Sequence, residues 1–262
     1  MPATAFLGER PTGQLAGVAC APHSTDWEEV VSMVDGSPLG SLPLGTPADL
    51  AEAAQRVRDA QHAWGAMPAW FRLAGLRRFA GLLATYRDPA AEVVRAETGL
   101  TLPEVAELVA RSGPQCRRLA RTGVRRLRPV RHGWRPRVLE HHEPRGVVGI
   151  VPDPAAPFDP ETAVAALVAG NGVVFVPGLR SGFTALLLTR LLVASRLPAG
   201  LVQAVPGDPA LAEAAAEVAD QLVVGPGVAA AVPRACARHG VVLAFGPLTD
   251  PLDFTVPVVV RR

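Results

Sequence analysis

Residues able to do chemistry cluster at the ends of four short apolar runs. GVVGIV ends in Val151 and is followed by Pro152 and Asp153; VVFV ends in Val176 and is followed by Pro177 and Gly178. LVQAV leads to Gly207, and QLVV leads to Gly225, Pro226 and Gly227. The runs have the branched, aromatic character of buried strands. Glycine-rich turns after such strands can offer backbone N–H groups to a phosphate. Val151, Pro152, Asp153, Val176, Pro177, Gly178, Gly207, Gly225 and Gly227 are therefore the candidate ligand-binding positions. The signal is weak, because a Gly-x-Gly pair alone is also a plain turn. Pro226 suits the first position of a helix but removes an N–H that an anion would use. Where a strand ending at a crevice could offer a charge, Val176 offers none.

Other candidates have bland readings beside the chemical ones. Cys20, Cys116 and Cys236 are widely spaced, with no CxxC and no metal-ligand pattern, which suits a cytosolic chain without disulfides. Cys236 precedes His239 by three residues, but nothing nearby supplies a base; it reads as a buried thiol, with His239 capping a helix end. His141, His142 and Glu143 could suggest metal, yet neighbours on a strand point to opposite faces. Asp153 and Asp159 read as loop solvation and a helix cap. Ten arginines lie between 111 and 137 with no acid among them; solvated surface, an anionic partner and nucleic acid are the three readings.

The elements that position these residues divide the chain in two. From 41 to 110 the apolar spacing is helical, with Thr46 as an N-cap, Pro47 at the first helical position, and helices ending near Asp88-Pro89 and at Gly99. Arg111 to Leu139, with its Pro, Gly and alternation, reads as an exposed ribbon rather than a helix. From 146 onward, GVVGIV, VVFV, LVQAV, QLVV and VVLAF alternate with Ala/Leu-rich helical segments near 160–169, 183–195, 209–219 and 227–238. That alternation is the signature of a parallel α/β sheet with helices on its faces, whose ligands sit beyond the carboxyl ends of the strands. The 262 residues carry a formal net charge of +2 and no lysine, which argues against a chain committed as a whole to nucleic acid. The opening MPATAFLGERPTG has neither a basic start nor an apolar core, so no secretory signal is expected. Residues 162 to 179 are uncharged but interrupted by Gly and Pro, too broken for a membrane span.

PRGVVGIV, AALVAGNGVVFVPG, RLPAGLVQAVPGD, the helix at 48–64 ending in AW, PAWFRLAGLRRFAGLL and AETG occur in an order that resembles the amino-terminal half of the aldehyde dehydrogenase superfamily, from about Asp35 to Phe245. The resemblance implies a Rossmann-like NAD(P)-binding fold with an oligomerisation ribbon at about Val124 to Glu143. It implies an organisation of 1–123 helical part, 124–145 β-ribbon, 146–246 Rossmann-like part and 247–262 carboxyl-terminal strand joining the ribbon. It also implies a second domain, bearing the nucleophilic cysteine, beyond the matched region. The family's Pro-Trp-Asn, whose Asn serves the oxyanion, corresponds to Asp153, Pro154 and Ala155. Its Lys-Pro-Ser-Glu, which holds the adenosine ribose, corresponds to Val176, Pro177, Gly178 and Leu179. The Gly-Ser near the pyrophosphate corresponds to Gly225-Pro226, and the general-base Glu to Ala244.

These departures set the expectation. No catalytic residue and no metal are assigned, and NAD or NADP is expected to bind weakly or not at all. The chain reads as a non-catalytic aldehyde-dehydrogenase-like binding, scaffold or regulatory subunit in the cytoplasm. The alternative is an NAD(P)-dependent aldehyde oxidoreductase, or half of one completed by a partner chain. Self-association, or pairing with a full-length relative, is expected through the ribbon and the strand-like LDFTVPVVVRR; no membrane is expected and nucleic acid is not the favoured partner.

Overall fold

The structure, a computed structural model, describes residues 26–132, 138–228 and 231–261. Cys20 and the opening residues read above for a secretory signal lie outside these, as do Gly133 to Arg137 of the arginine-rich stretch. An antiparallel hairpin comes first, β1 (Trp27–Val31) with β2 (Pro38–Pro43). Its turn takes Gly36 at φ +71, while the Asp35 carboxylate accepts the Ser37 N–H at 3.1 Å, a local Asx turn. Four helices follow: α1 (Pro47–Ala66), α2 (Ala69–Thr85), α3 (Arg87–Thr98) and α4 (Leu102–Arg126). Thr46 caps α1 in a capping box with Asp49, and Gly99 closes α3 in the left-handed region, the two ends that N-cap and Gly signals specify.

One expectation is overturned here. Residues 111–126 are helical, the carboxyl-terminal part of the 25-residue α4, so the ribbon does not begin at Val124, and the boundary between 123 and 124 falls inside a helix. Gly113 and Pro114 are not breakers. Gly113 lies where α2 and α4 approach closely, a Cβ there meeting the Ala80 carbonyl oxygen at 3.1 Å. Val105, Val109, Cys116, Leu119 and Ala120 are buried, and this apolar stripe holds the helix in place despite the proline. The strands of the ribbon are β3 (Val130–His132) and β4 (Val138–Pro144).

The core is a five-stranded parallel sheet of β5 (Val147–Val151), β6 (Gly172–Phe175), β7 (Val202–Ala204), β8 (Gln221–Val224) and β9 (Val242–Phe245). Its order is β7-β6-β5-β8-β9. Helices α5 (Pro160–Ala169), α6 (Gly182–Ala194), α7 (Pro209–Val218) and α8 (Ala231–His239) make the crossovers. The direction of winding reverses between β5 and β8, the point at which such sheets open a crevice. Alternation divides the strand residues between two layers. Val148, Ile150, Val173, Phe175 and Val223 pack with residues of α2, α4, α5 and α6. Val147, Val151, Val174, Leu222 and Val224 pack with residues of α1, α7 and α8.

A last strand, β10 (Thr255–Arg261), pairs antiparallel with β4, from Thr255 opposite Pro144 to Arg261 opposite Val138, in a three-stranded sheet ordered β10-β4-β3. Buried Asn171 ties this sheet to the core. Its Nδ2 donates to the carbonyls of Ala166 (3.1 Å) and Phe254 (3.0 Å), and its Oδ1 accepts the Gly146 N–H (2.9 Å). Among the described residues no helix is long and apolar enough to cross a membrane.

Candidate functional site

Of the nine positions named from the sequence, the fold brings Val151, Pro152, Asp153, Gly225 and Gly227 together at the switch point, at the ends of β5 and β8. Asp153 organises them. Its Oδ1 accepts the Ala155 N–H at 2.9 Å and its Oδ2 accepts the Gly227 N–H at 3.2 Å. A Cβ on Gly225 would lie 2.5 Å from both the Asp153 Cβ and its backbone nitrogen, so glycine is required by the approach of the β5 loop. The N–H that a bound anion would seek at this turn is thus already donated to the chain's own carboxylate. Pro226 does not start a helix: it lies in a turn closed by the Val228 N–H on the Gly225 carbonyl (3.1 Å), ahead of α8.

Val176, Pro177, Gly178 and Gly207 lie apart from this cluster, at the ends of β6 and β7. Val176 is 2% exposed and packs in the α1/α7/α8 layer. The Gly207 N–H donates to the Pro177 carbonyl at 3.1 Å, and Leu211 crowds Gly207, within 2.4 Å of where a Cβ would stand. Gly178 has open space beside it. Leu179 turns away, packing against the opposite layer. No charged side chain comes from positions 176 to 179.

The open space at the crevice lies on the α4/α5 side. A cavity of about 360 Å³ is floored by Ile150, Phe175, Val223 and Phe158 and walled by Leu108 and Arg111 of α4 and by Asp159 and Glu161 at the start of α5. Val151, Pro152, Asp153 and Gly225 reach its edge. Asp159 is the N-cap of α5, its Oδ1 accepting the Thr162 N–H at 3.1 Å; burial raises its carboxyl, against the Thr162 hydrogen bonds that lower it. Burial, with Asp159 nearby, pushes Glu161 up to about 7. The wall residues Leu108, Arg111 and Gln115 escape a sequence reading that takes 111–139 for a ribbon. Their signal is the helical spacing of the apolar residues on the other face of α4.

The remaining candidates do not assemble into a site. Cys116 and Cys236 are free and buried, and burial raises both thiols, the opposite of an activated nucleophile. His239 ends α8, with Nε2 3.9 Å from Glu217 Oε1. His141 Nε2 sits 3.1 Å from Glu143 Oε1, whereas His142 Nδ1 lies 3.2 Å from Thr255 Oγ1. Among the described residues no group of three His, Cys, Asp or Glu could hold a metal.

The parallel sheet with its switch-point crevice, the preceding helices and the three-stranded ribbon define one class: residues 21–231 match the aldehyde dehydrogenase family, and the chain belongs to it. It is 34% identical over 193 residues to a Mycolicibacterium smegmatis protein assigned as an NADP(+) succinate-semialdehyde dehydrogenase, covering 71% of this chain and 37% of that one. It is 32% identical over 211 residues to the N-succinylglutamate 5-semialdehyde dehydrogenase 2 of Caulobacter vibrioides, covering 76% of this chain and 40% of that one. The fold superposes with a TM-score of 0.81 on the crystal structure of a Mycobacterium tuberculosis aldehyde dehydrogenase complexed with NAD+, at 21% identity over 90% of this chain and 51% of the other. The chain thus spans less than half the length of these curated relatives.

Proposed function

We propose that this chain is a non-catalytic member of its family, a binding or scaffold subunit in which the dinucleotide crevice is closed by the protein's own side chains. The observation that carries this is the Asp153 carboxylate on the Gly227 N–H, pressed against Gly225. A phosphate approaching that turn meets a negative charge where it needs a donor. Val176 and Leu179 stand where the resemblance implies the ribose-holding Lys and Glu, deleting charge-assisted hydrogen bonds worth about 1.5–3 kcal/mol each. Ala155 and Ala244, in place of the oxyanion Asn and the general base, remove two separate catalytic contributions. Two buried free thiols suit a reducing, cytoplasmic setting.

The test is calorimetric titration of the pure chain with NAD and NADP. The expected result is a dissociation constant in the millimolar range or no heat, tightening at least tenfold when Asp153→Ala is combined with Val176→Lys and Leu179→Glu. Low-micromolar binding by the unaltered chain would refute the reading and favour an active NAD(P)-dependent oxidoreductase or half of one.

The proposal extends to assembly. Among the described residues the outer edge of β10 has no strand beside it, and Val256 and Val259 are exposed on it. Such an edge is a template for another chain, either a second copy or a full-length relative. Light scattering should show a dimer or larger species that reverts to monomer when the chain is cut after Asp250. A monomer in both cases, at tens of micromolar, removes the strand-mediated contact.

A further inference from the structure

Ten arginines fall between 111 and 137, and the crevice uses none of them beyond Arg111. Seven, from Arg111 to Arg128, lie on α4 and the two residues after it, with no acid interleaved. Without those seven the formal charge of the chain would be −5 instead of +2, so positive charge is segregated onto one helix. Arg117, Arg121 and Arg125 stand about one turn apart, roughly 6 Å each, with Arg118 beside them. They form a ridge pointing away from the buried Val109, Cys116 and Ala120. All four are exposed, and none makes an ion pair among the described residues, unlike Arg126, whose guanidinium holds the Asp250 carboxylate. Like charges at this spacing weaken a helix, and no ion pair among the described residues offsets that cost.

One flank of the ridge borders a groove of about 580 Å³ between α4 and the segment leading to β10, lined by Arg118, Leu119, Thr122, Arg125, Arg126 and Pro251 among others. Gln115 and Glu161 mark its sheet-facing end. There one carboxylate oxygen of Glu161 is buried without a hydrogen-bond partner, and that charge repels an anion. Arg125 and Arg126 lie about 15 Å further along α4 than Gln115, so the place for an anion is at the other end, away from the cavity beyond β5. Three features select among anionic partners. Leu119 and Pro251 give the groove an apolar floor, which suits the side chains of a peptide, whereas a phosphodiester backbone has none to bury. No residue lining the groove is aromatic, so no ring offers a base a stacking platform. The net negative charge of the rest of the chain opposes a polyanion that extends past α4.

We infer that the arginine ridge of α4 docks an acidic segment of a partner protein. Its carboxylates lie on Arg117, Arg118, Arg121 and Arg125, and an apolar side chain enters the groove over Leu119 and Pro251. Guanidinium forks match carboxylates bidentately, and about five extended residues span the ridge from Arg117 to Arg128. The inference deepens the reading of the chain as a binding subunit by naming the chemistry of what it binds, and it does not depend on the state of the dinucleotide crevice.

The test is fluorescence anisotropy of the intact chain with a labelled peptide of three Glu-Glu-Leu repeats. Lys-Lys-Leu and Glu-Glu-Ser peptides of the same length and a short DNA duplex serve as counterparts. The Glu-Glu-Leu peptide should bind, the Lys-Lys-Leu peptide at least tenfold more weakly and the Glu-Glu-Ser peptide severalfold more weakly. Affinity should fall severalfold between about 0.05 and 0.5 M NaCl. Arg118→Glu with Arg125→Glu should weaken the acidic peptide at least tenfold. Arg234→Glu with Arg238→Glu makes the same change in net charge at exposed positions of α8, in the opposite layer, and should weaken it less than twofold. Should the ridge variant fail to melt cooperatively, Arg121→Gln with Arg125→Gln takes its place, with at least a fivefold loss expected. No binding of the acidic peptide, equal binding of the Lys-Lys-Leu peptide, equal losses from the ridge and α8 variants, or tighter binding of the duplex than of the peptide overturns the inference. Tight NAD binding together with ridge-dependent peptide binding sinks the crevice reading and leaves this one standing; weak NAD binding with no peptide binding does the reverse.

Discussion

The two sides of the sheet's carboxyl edge were built by one strand pattern and have opposite contents. Toward α1, α7 and α8, the loops after β6 and β7 are filled by Val176, Leu211 and the Pro177–Gly207 hydrogen bond. Between β5 and β8, Asp153 and Gly225 fill the turn. Toward α4 and α5, the strands present Ile150, Phe175 and Val223 to open space. What differs is the identity of a few loop residues rather than the fold, which is how one architecture carries different functions. The crevice is closed where Val176, Leu211 and the Asp153 carboxylate fill it and open where Ile150, Phe175 and Val223 floor the cavity.

The contrast can be broken hardest at Gly225. A methyl there would meet backbone at 2.5 Å on the filled side, so Gly225→Ala should cost roughly 2–4 kcal/mol and loosen the Asp153 contact; denaturant melts measure it. An unchanged midpoint would show that the filled turn has slack.

A second effect is expected where a buried carboxylate, rather than a ligand, satisfies a helix start. Glu97 is 1% exposed and accepts the N–H groups of Phe183 (2.7 Å) and Thr184 (3.0 Å) at the beginning of α6. Burial outweighs those hydrogen bonds and raises it to about 7. A carboxyl whose folded value is raised gives stability that is full below its unfolded value, about 4.5, and lost as pH rises through about 7. Stability should therefore fall from pH 5 to pH 8, by on the order of 3 kcal/mol if this group acts alone, with Glu161 acting in the same direction. Glu97→Gln should flatten the profile while lowering the plateau by about 1–2 kcal/mol, since one oxygen must then serve two donors. A pH-independent melt of the unaltered chain from 5 to 8 would contradict this account.

The smallest effect sharpens the comparison from the other end. Gly178 has φ −70 and nothing within 4 Å of a Cβ, so Gly178→Ala should move stability by no more than about 0.5–1 kcal/mol, in the stabilising direction. A large loss would mean that the loop after β6 is packed more closely than its neighbours indicate.

Much of this was legible in the sequence. The five parallel strands announced themselves as short branched runs, because strands buried on both faces tolerate little else. Thr46, Gly99 and Asp159 were readable as caps because capping depends on one side chain and its local geometry. The helix through 111–126 is hidden in the sequence because Gly113 and Pro114 look like punctuation. They are tolerated only because α2 and α5 pack against the buried stripe of Val109, Cys116 and Leu119, a tertiary effect invisible locally. The β1–β2 hairpin was not read at all, its prolines at 38 and 43 disguising a strand. Asp153 stands out in the sequence but its role does not, since contact with Gly227 joins residues 74 apart.

The pairing of β10 with β4 has a consequence in time as well as in space. The paired residues are more than a hundred positions apart in sequence, so this ladder closes the longest loop of the strand pairings among the described residues, and its entropy must be met before any bond forms. The α/β core between the two strands is built mainly from neighbouring units and can form without them. The ribbon should then dock late on folding and open early from the native state, as an exchange unit tied to the core through Asn171 on the Phe254 carbonyl and Gln221 on the Asp253 carbonyl. Its amides would lose protection at a lower free energy than those of β5 and β8, and the ribbon could be remodelled by a partner without unfolding the sheet.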